Sequence, residues 1–398
     1  MLIVASICIN KRVAMDQAVP QGFRSYTANM GLKDSAHDFA VVVSEVPAVS
    51  AAVYTKSRFA GPSVVLSRAD TAAQRSRGMV VVSRNANVAT GRVGAAHAEE
   101  VRRLAAAKAG VRPEELVIGS TGVIGRPYPI EGIREGIAAI PTPLPPADFE
   151  AAAAAIMTTD TRAKSVHLRC GDAVVVGIAK GVGMIEPGMA TLLAFFFTDA
   201  ELAPERLDAV FRRVVDRTFN ALSIDTDTST SDSAAVFANG LAGPVDEAGF
   251  EQVLYRAALA LVRDIASDGE GAGKLLEVRV TGARDAAQAK RAGKAVVNSP
   301  LVKTSVHGAD PNWGRVAMAV GKLDEDLDIE PSRTRIHYGE LEMFPEEPDE
   351  EMLARARRYL SGDEVVIRID LGIADGAFTV YGCDLTEGYV GLNSGYTT

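Results

Sequence analysis

Short β-branched runs alternate with alanine-rich stretches of helical spacing along the whole chain. The Val- and Ile-rich runs predict strands over Phe39–Ser44, Met79–Ser83, Glu115–Ile118, Ala173–Ile178, Thr191–Thr198, Leu276–Thr281 and Glu364–Asp370. Helices are predicted over Ala96–Ala109, Ala147–Met157, Pro204–Phe219, Glu247–Ser267, Asp285–Ala292 and Pro348–Leu360. Several carry start signals: Pro204 and Pro348 near first-turn positions, and Asp246 directly before Glu247. Helices and strands are interspersed, the pattern of a layered α/β or α+β protein. The proline-rich stretch Pro141–Pro146 reads equally as a domain linker or as a surface loop inside one domain.

The chain has 398 residues, enough for two or three domains or one large two-lobed one. It is 47% hydrophobic and 23% charged, which suits a large core and excludes disorder. Forty-two basic against 51 acidic residues give a net charge of −9, which argues against nucleic acid or an anionic membrane as partner. The three cysteines, Cys8, Cys170 and Cys383, lie far apart and build neither a disulfide framework nor a zinc site, so a reducing cytoplasm is expected. No apolar run approaches the eighteen or so residues that a membrane span needs. The apolar start Met1–Ile9 lacks a basic region before it and is followed by Lys11 and Arg12, the wrong polarity for a signal peptide. Residues 1–14 read as a short extra strand or an over-extended start, with Met15 as the alternative initiator.

Familiar motifs fail on inspection. Gly269–Lys274 looks like a phosphate loop, but Asp268 stands where the first glycine is needed, Leu275 replaces the magnesium-binding hydroxyl, and Glu270 would repel phosphate. Asp225–Thr230 resembles a calcium loop for three positions, then places Thr230 where the sharp turn requires glycine and Val236 where a bidentate glutamate belongs. The five histidines have no metal-ligand spacing.

The informative segment is Lys180–Phe197, a glycine- and proline-rich turn that delivers the chain into a strongly apolar strand, with Thr191 at the junction. A loop feeding a core strand is one reading. The other makes Thr191 a nucleophile created by self-cleavage. A threonine hydroxyl alone is weak, but an N-terminal threonine carries an α-amine of pKa about 8 that can serve as its general base.

Here the chain resembles the ornithine acetyltransferase family, whose usual form is Lys-Gly-Ser/Val-Gly-Met-Ile followed by Pro-Asn-Met-Ala-Thr. The likeness extends through Asn85–Gly91, Ser120–Gly125, Met157–Thr161, Asp225–Asp232, Asp268–Lys274, Asn298–Thr304 and Asp310–Arg315, covering nearly the whole chain. One departure is Gly188, where the family usually has asparagine.

The resemblance implies cleavage between Ala190 and Thr191, giving an α chain of 1–190 and a β chain of 191–398 that together form one catalytic unit. It also implies an α+β fold, a layered α-β-β-α sandwich, and an assembly of two α and two β chains. Thr191 matches the nucleophile. Thr121 (hydroxyl) and Gly122 (backbone N–H) match the oxyanion hole, and Thr158, Lys180, Thr191, Glu270, Asn393 and Thr398 match substrate-binding positions. Thr159 is a near rival to Thr158. The implied reaction carries acetyl from N²-acetyl-L-ornithine to L-glutamate, in arginine synthesis or a specialised pathway, with acetyl-CoA as a further donor left open. It exchanges bonds of nearly equal energy, so the resemblance implies no metal or organic cofactor. Two rival readings stand beside it. One is an N-terminal-nucleophile amidohydrolase or aminopeptidase that uses water as acceptor, and the other is an uncleaved amino-acid-binding protein.

Overall fold

The computed structural model describes residues 18–186 and 192–395. The expected extra strand or over-extended start therefore lies outside the described residues. The first part of the chain forms β1 (Phe23–Ala28), β2 (Phe39–Ser44), β3 (Val49–Tyr54), α1 (Pro62–Thr71), β4 (Gly78–Val82), α2 (Gly91–Ala109) and β5 (Leu116–Ser120). It continues through α3 (Ile130–Ala138), α4 (Phe149–Ala155), β6 (Lys164–Cys170), β7 (Ala173–Lys180), β8 (Leu193–Glu201), α5 (Pro204–Arg217) and β9 (Ser233–Pro244). Then come α6 (Glu247–Ser267), β10 (Leu275–Ala283), α7 (Ala286–Val297), α8 (Pro300–His307), α9 (Trp313–Gly321), β11 (Arg335–Tyr338) and β12 (Leu341–Phe344). The last elements are α10 (Glu350–Leu360), β13 (Glu364–Asp370), β14 (Gly376–Cys383) and α11 (Glu387–Asn393).

The strands form three sheets, in the orders β1-β2-β4-β5, β3-β9-β8-β7-β6 and β12-β11-β13-β10-β14. Side-chain alternation explains how the first two stack. Along β2, Ala40 and Val42 face the second sheet, while Phe39, Val41 and Val43 face α2 and α3. Along β8, Leu193, Phe195 and Phe197 face the first sheet, and Ala194, Phe196 and Ala200 face α5 and α6. Each strand is buried on both sides, which is why both sequences are continuous apolar runs instead of alternating ones. The result is the α-β-β-α sandwich that the resemblance implies. The third sheet packs one face on α7, α8 and α9, and Leu275, Tyr381 and Cys383 tie it to the core around α6.

β2, β13 and α6 keep their expected bounds. The strand expected over Thr191–Thr198 is described from Leu193, and it runs on to Glu201. The Pro141–Pro146 stretch is a loop within the first sheet's own unit. The N–H of Ser25 donates to Pro145 O at 3.1 Å, that of Ala147 donates to Phe23 O at 3.2 Å, and Leu144 is buried between them. Among the described residues, no helix is long and apolar enough to cross a membrane.

Phe197 is the centre of the inter-sheet core, 5.5 Å ring to ring from Phe23, 5.1 Å from Phe149 and 5.5 Å from Phe237. Phe197→Ala should cost about 3–5 kcal/mol of stability, the range for a buried aromatic deletion. Urea denaturation checks this, with the exposed Leu327→Ala as a control that should leave the midpoint in place.

Candidate active site

The site begins where β5 runs out. Thr121 continues the sheet by donating its N–H to Val82 O at 3.1 Å, and it bridges Asn85. The next residue must be glycine. Gly122 has φ +127°, and a Cβ there would sit 2.2 Å from the carbonyl carbon of Arg84. The opposing Asn85–Gly91 loop is held by its own asparagines: Asn85 Oδ1 accepts from Asn87 N at 2.7 Å, and Asn87 Nδ2 donates to Gly94 O at 2.8 Å. That block thus forms the wall against which the Thr121–Gly122 turn is pressed.

From the second sheet, β7 ends in Lys180, whose Nζ donates to Thr121 Oγ1 at 3.3 Å. Both side chains line one small cavity with Gly181, Gly183, Ser231 and Asp232. Lys180 is buried, and burial pushes its ammonium below the ordinary lysine value while the Asp160 carboxylate pulls it back up.

Asp160 belongs to a buried ionic cluster. Its Oδ1 accepts from Gly181 N and Lys164 Nζ, both at 2.8 Å, and its Oδ2 accepts from Thr158 N at 3.0 Å. Lys164 also donates to Asp268 Oδ2 at 2.6 Å, and Asp268 Oδ2 accepts from Thr161 N at 3.1 Å. Burial disfavours the Asp160 carboxylate, yet Lys180 and Lys164 outweigh it and hold the carboxyl down to about 2. In the sequence, Asp160 and Asp268 carry no signal for this cluster beyond membership of the Met157–Thr161 and Asp268–Lys274 blocks, and Lys164 belongs to neither block.

Two residues beyond Asp268 stands Glu270. Its Oε1 accepts from Thr159 Oγ1 and its Oε2 from Asn393 Nδ2, both at 2.9 Å. Gly183 makes room for it, since a Cβ there would lie 2.5 Å from Glu270 Oε2. Asn393 is brought in by α11, which lies on the Asp268–Lys274 loop so closely that a Cβ on Gly271 would meet Tyr389 N at 2.3 Å. Thr386 Oγ1 donates to Gly271 O at 2.6 Å in the same contact. Thr158 is buried beside Thr159 and contributes its backbone N–H to Asp160. Lys274, the would-be phosphate lysine, instead donates to the carbonyls of Val306, His307 and Leu360 at the ends of α8 and α10.

The structure therefore gathers Thr121, Gly122, Lys180, Glu270, Thr158 and Asn393 on facing loops. Ala190, Thr191, Gly188 and Thr398 lie outside the described residues. The chain on either side of 187–191 is fixed: Asp225 accepts from Met184 N at 2.6 Å and Ile185 N at 2.7 Å, and Leu192 is buried. That is the role of the block that began like a calcium loop. Among the described residues, no group of His, Cys, Asp or Glu is arranged to hold a metal. A larger cavity of about 540 Å³ opens on the third sheet between Arg279, Arg355, Arg358 and Arg368, away from all of these residues.

Two stacked sheets between helical layers, with a hydroxyl–ammonium pair at the sheet ends lining a small polar cavity, define an α+β sandwich protein. The chain belongs to the ArgJ family, whose profile matches residues 24–398. It is 62% identical over 385 residues to the glutamate N-acetyltransferase Oat2 of Streptomyces clavuligerus, covering 95% of this chain and 98% of that one. It is 52% identical over 381 residues to arginine biosynthesis bifunctional protein ArgJ 2 of a Nostoc species, covering 96% and 98%. A solved arginine biosynthesis bifunctional protein from Bacillus halodurans matches at 37% identity and a TM-score of 0.47, over 50% of this chain and 96% of that one.

Gly122→Ala should abolish activity, because the added methyl collides with rigid Arg84 backbone; loss of turnover with far-UV circular dichroism retained is the expected result. Lys164→Met should cost about 3–5 kcal/mol in urea denaturation, because it leaves Asp160 and Asp268 buried without their shared cation.

Proposed function

We propose that this chain carries acetyl from N²-acetyl-L-ornithine to L-glutamate, after cutting itself between Ala190 and Thr191. Thr191 Oγ attacks the acetyl carbonyl as its own α-amine takes the hydroxyl proton. The tetrahedral intermediate's O⁻ is held by the Thr121 hydroxyl and the Gly122 N–H. Collapse breaks the C–N bond, the amine proton passes to the leaving nitrogen, and ornithine departs from an acetyl-Thr191 ester. The glutamate amine then attacks that ester by the same steps in reverse, releasing N-acetylglutamate and regenerating Thr191. One amide is exchanged for another, so the reaction as written calls for no redox step.

The observation that carries this reading is the adjacency of Thr121, Gly122 and Lys180 at the sheet ends, in a chain 62% identical to a protein named glutamate N-acetyltransferase. Glu270 and Asn393, across the cleft, suit the ammonium and polar ends of an amino-acid substrate, with Thr158 and the C-terminal Thr398 completing the pocket. Segments 1–190 and 191–398 remain one unit in this proposal, since β7 and β8 pair antiparallel from Lys180↔Leu193 onward. Two copies of each form the assembly. A cytoplasmic location accords with Cys170 and Cys383, which are buried free thiols.

A denaturing gel should give two bands, and sequencing of the C-terminal segment should begin Thr-Leu-Leu-Ala. Incubation with N-acetylornithine alone should add one acetyl mass to that segment, on Thr191, and glutamate should remove it. An intact chain after long incubation removes the nucleophile from this scheme. Acetyl release to water at the same rate without glutamate favours the amidohydrolase instead.

A further inference from the structure

Among the described residues, Lys180 is the one buried ammonium that touches an oxyanion-hole candidate, and the geometry of that contact has a direction. An ammonium only donates, so Thr121 Oγ1 accepts from Lys180 at 3.3 Å. Thr121 then keeps its own O–H free to donate elsewhere. A cation on the hydroxyl's lone pair also makes that O–H a stronger donor. If Lys180 were neutral, its amine could accept instead. The Thr121 proton would turn toward Nζ, leaving lone pairs toward a developing oxyanion.

We infer that Asp160 and Lys180 are a positioning pair, in which the Asp160 carboxylate keeps Lys180 an ammonium so that the Thr121 hydroxyl presents its proton to the oxyanion. The inference rests on the acyl-transfer reading and assigns Lys180 a role beyond gripping substrate. Asp160 is fixed for this by three donors from three segments: Thr158 N, Lys164 Nζ and Gly181 N, the last being the residue next to Lys180. Among the described residues, four charges act on Lys180. Asp160, Asp232 and Glu270 favour its protonated form, and Lys164 opposes it. Asp160 opposes the burial that would otherwise discharge the lysine, from a carboxylate that the hydrogen bond from Gly181 N at 2.8 Å holds next to the Lys180 backbone.

The test is the pH profile of kcat/KM for N-acetylornithine with the self-cleaved enzyme, a quantity that in a two-step mechanism reports acetylation alone. Wild type should lose activity on the alkaline side, at a pH below the ordinary lysine value of about 10.4 where the substrate's own side-chain amine titrates. The sign for Asp160→Asn follows: removing the charge that favours the ammonium moves this limb to lower pH. At pH 8 kcat should fall about tenfold with KM nearly unchanged, less than the roughly 10²–10³ lost with an oxyanion donor itself. Lys180→Arg keeps a cation at every accessible pH, so the enzyme's limb should vanish and leave only the substrate's.

A profile for Asp160→Asn that is scaled down with its limb unmoved makes Asp160 purely structural and overturns the inference. So does a limb retained in Lys180→Arg. Lys180→Met with raised KM and unchanged kcat would make Lys180 a substrate grip only. Should Asp160→Asn fail to fold, wild type and Lys180→Arg decide alone, and a wild-type profile with no enzyme limb is itself negative. Wild type that exchanges no acetyl between acetylornithine and glutamate refutes the acyl-transfer reading instead, a separable outcome.

Discussion

The sheet-end side of the cleft is placed by the burial of one strand. β8 is the middle strand of its sheet, apolar on both faces, with Phe195 and Phe197 locked against the first sheet and Phe196 against α5 and α6. Its first residue pairs with Lys180 on one side and Ser233 on the other. The β7 neighbour is antiparallel and the β9 neighbour parallel, so the chain must leave β8, cross through α5 and return beside it. That crossover brings Ser231 and Asp232 to the same end of the sheet as Lys180. Stacking supplies the last component, because β5 ends over the start of β8 and delivers Thr121, with Gly119 lying against Leu193.

A cleft assembled at the ends of two sheets inherits an electrostatic problem. Lys180 is drawn into the sandwich by β7 whether or not its charge is accommodated, and a buried ammonium without a partner is costly. The Asp160–Lys164–Asp268 cluster answers this with alternating charge. It anchors the Met157–Thr161 loop by Thr158 N and Thr161 N, and it anchors the loop of Glu270 through Asp268. The same ion cluster that makes Lys180 tolerable therefore fixes the spacing between the two sides of the cleft. A hydrophobic replacement could fill that volume, but it would supply neither the field at Lys180 nor the three backbone contacts from Thr158, Thr161 and Gly181.

How much of this is visible in the sequence depends on what each residue's role requires. β2, β13 and α6 are legible because dense Val and Ile, or an Asp246 cap before a long apolar period, hold whatever the neighbours are. β3 (VSAAVY), β9 (SAAVFANGLAGP) and β14 (GAFTVYGC) are not, because small residues and glycines have little strand preference of their own. β9 and β14 are strands because β8 and β10 offer them ladders, and β3 because β9 does. The short helices α8 and α9 are likewise fixed by packing against α7. In the cleft, Thr121, Gly122, Lys180, Glu270 and Asn393 were named through resemblance. Without it, Lys180 and Glu270 read as surface charges and Asn393 as a frayed tail. Asp160 escaped altogether, since nothing along the chain reveals that residues 158, 164 and 181 converge on one carboxylate.

The stretch 187–191 is flanked by two independent anchors, and this reconciles a chain cut with a stable fold. Upstream, Met184 and Ile185 are hydrogen-bonded to Asp225, and Ile224 N donates back to Ile185 O at 2.8 Å. Glu186 accepts from Asn298 Nδ2 at 3.2 Å and pairs with Lys294 at 3.3 Å, while Thr228 Oγ1 donates to its carbonyl at 3.1 Å. All of these partners lie in the segment after residue 191. Downstream, Leu192 and Leu193 are sunk in the core. A proposed break between Ala190 and Thr191 thus removes one covalent bond within a short stretch whose two flanking segments, up to Glu186 and from Leu192, are already held by non-covalent contacts. Loop closure across so few residues contributes little entropy for the fold to lose. The energetic burden of the proposed cut would then fall on the local chemistry of the scissile bond, because the described contacts that hold the sandwich around Thr121 and Lys180 do not run through it.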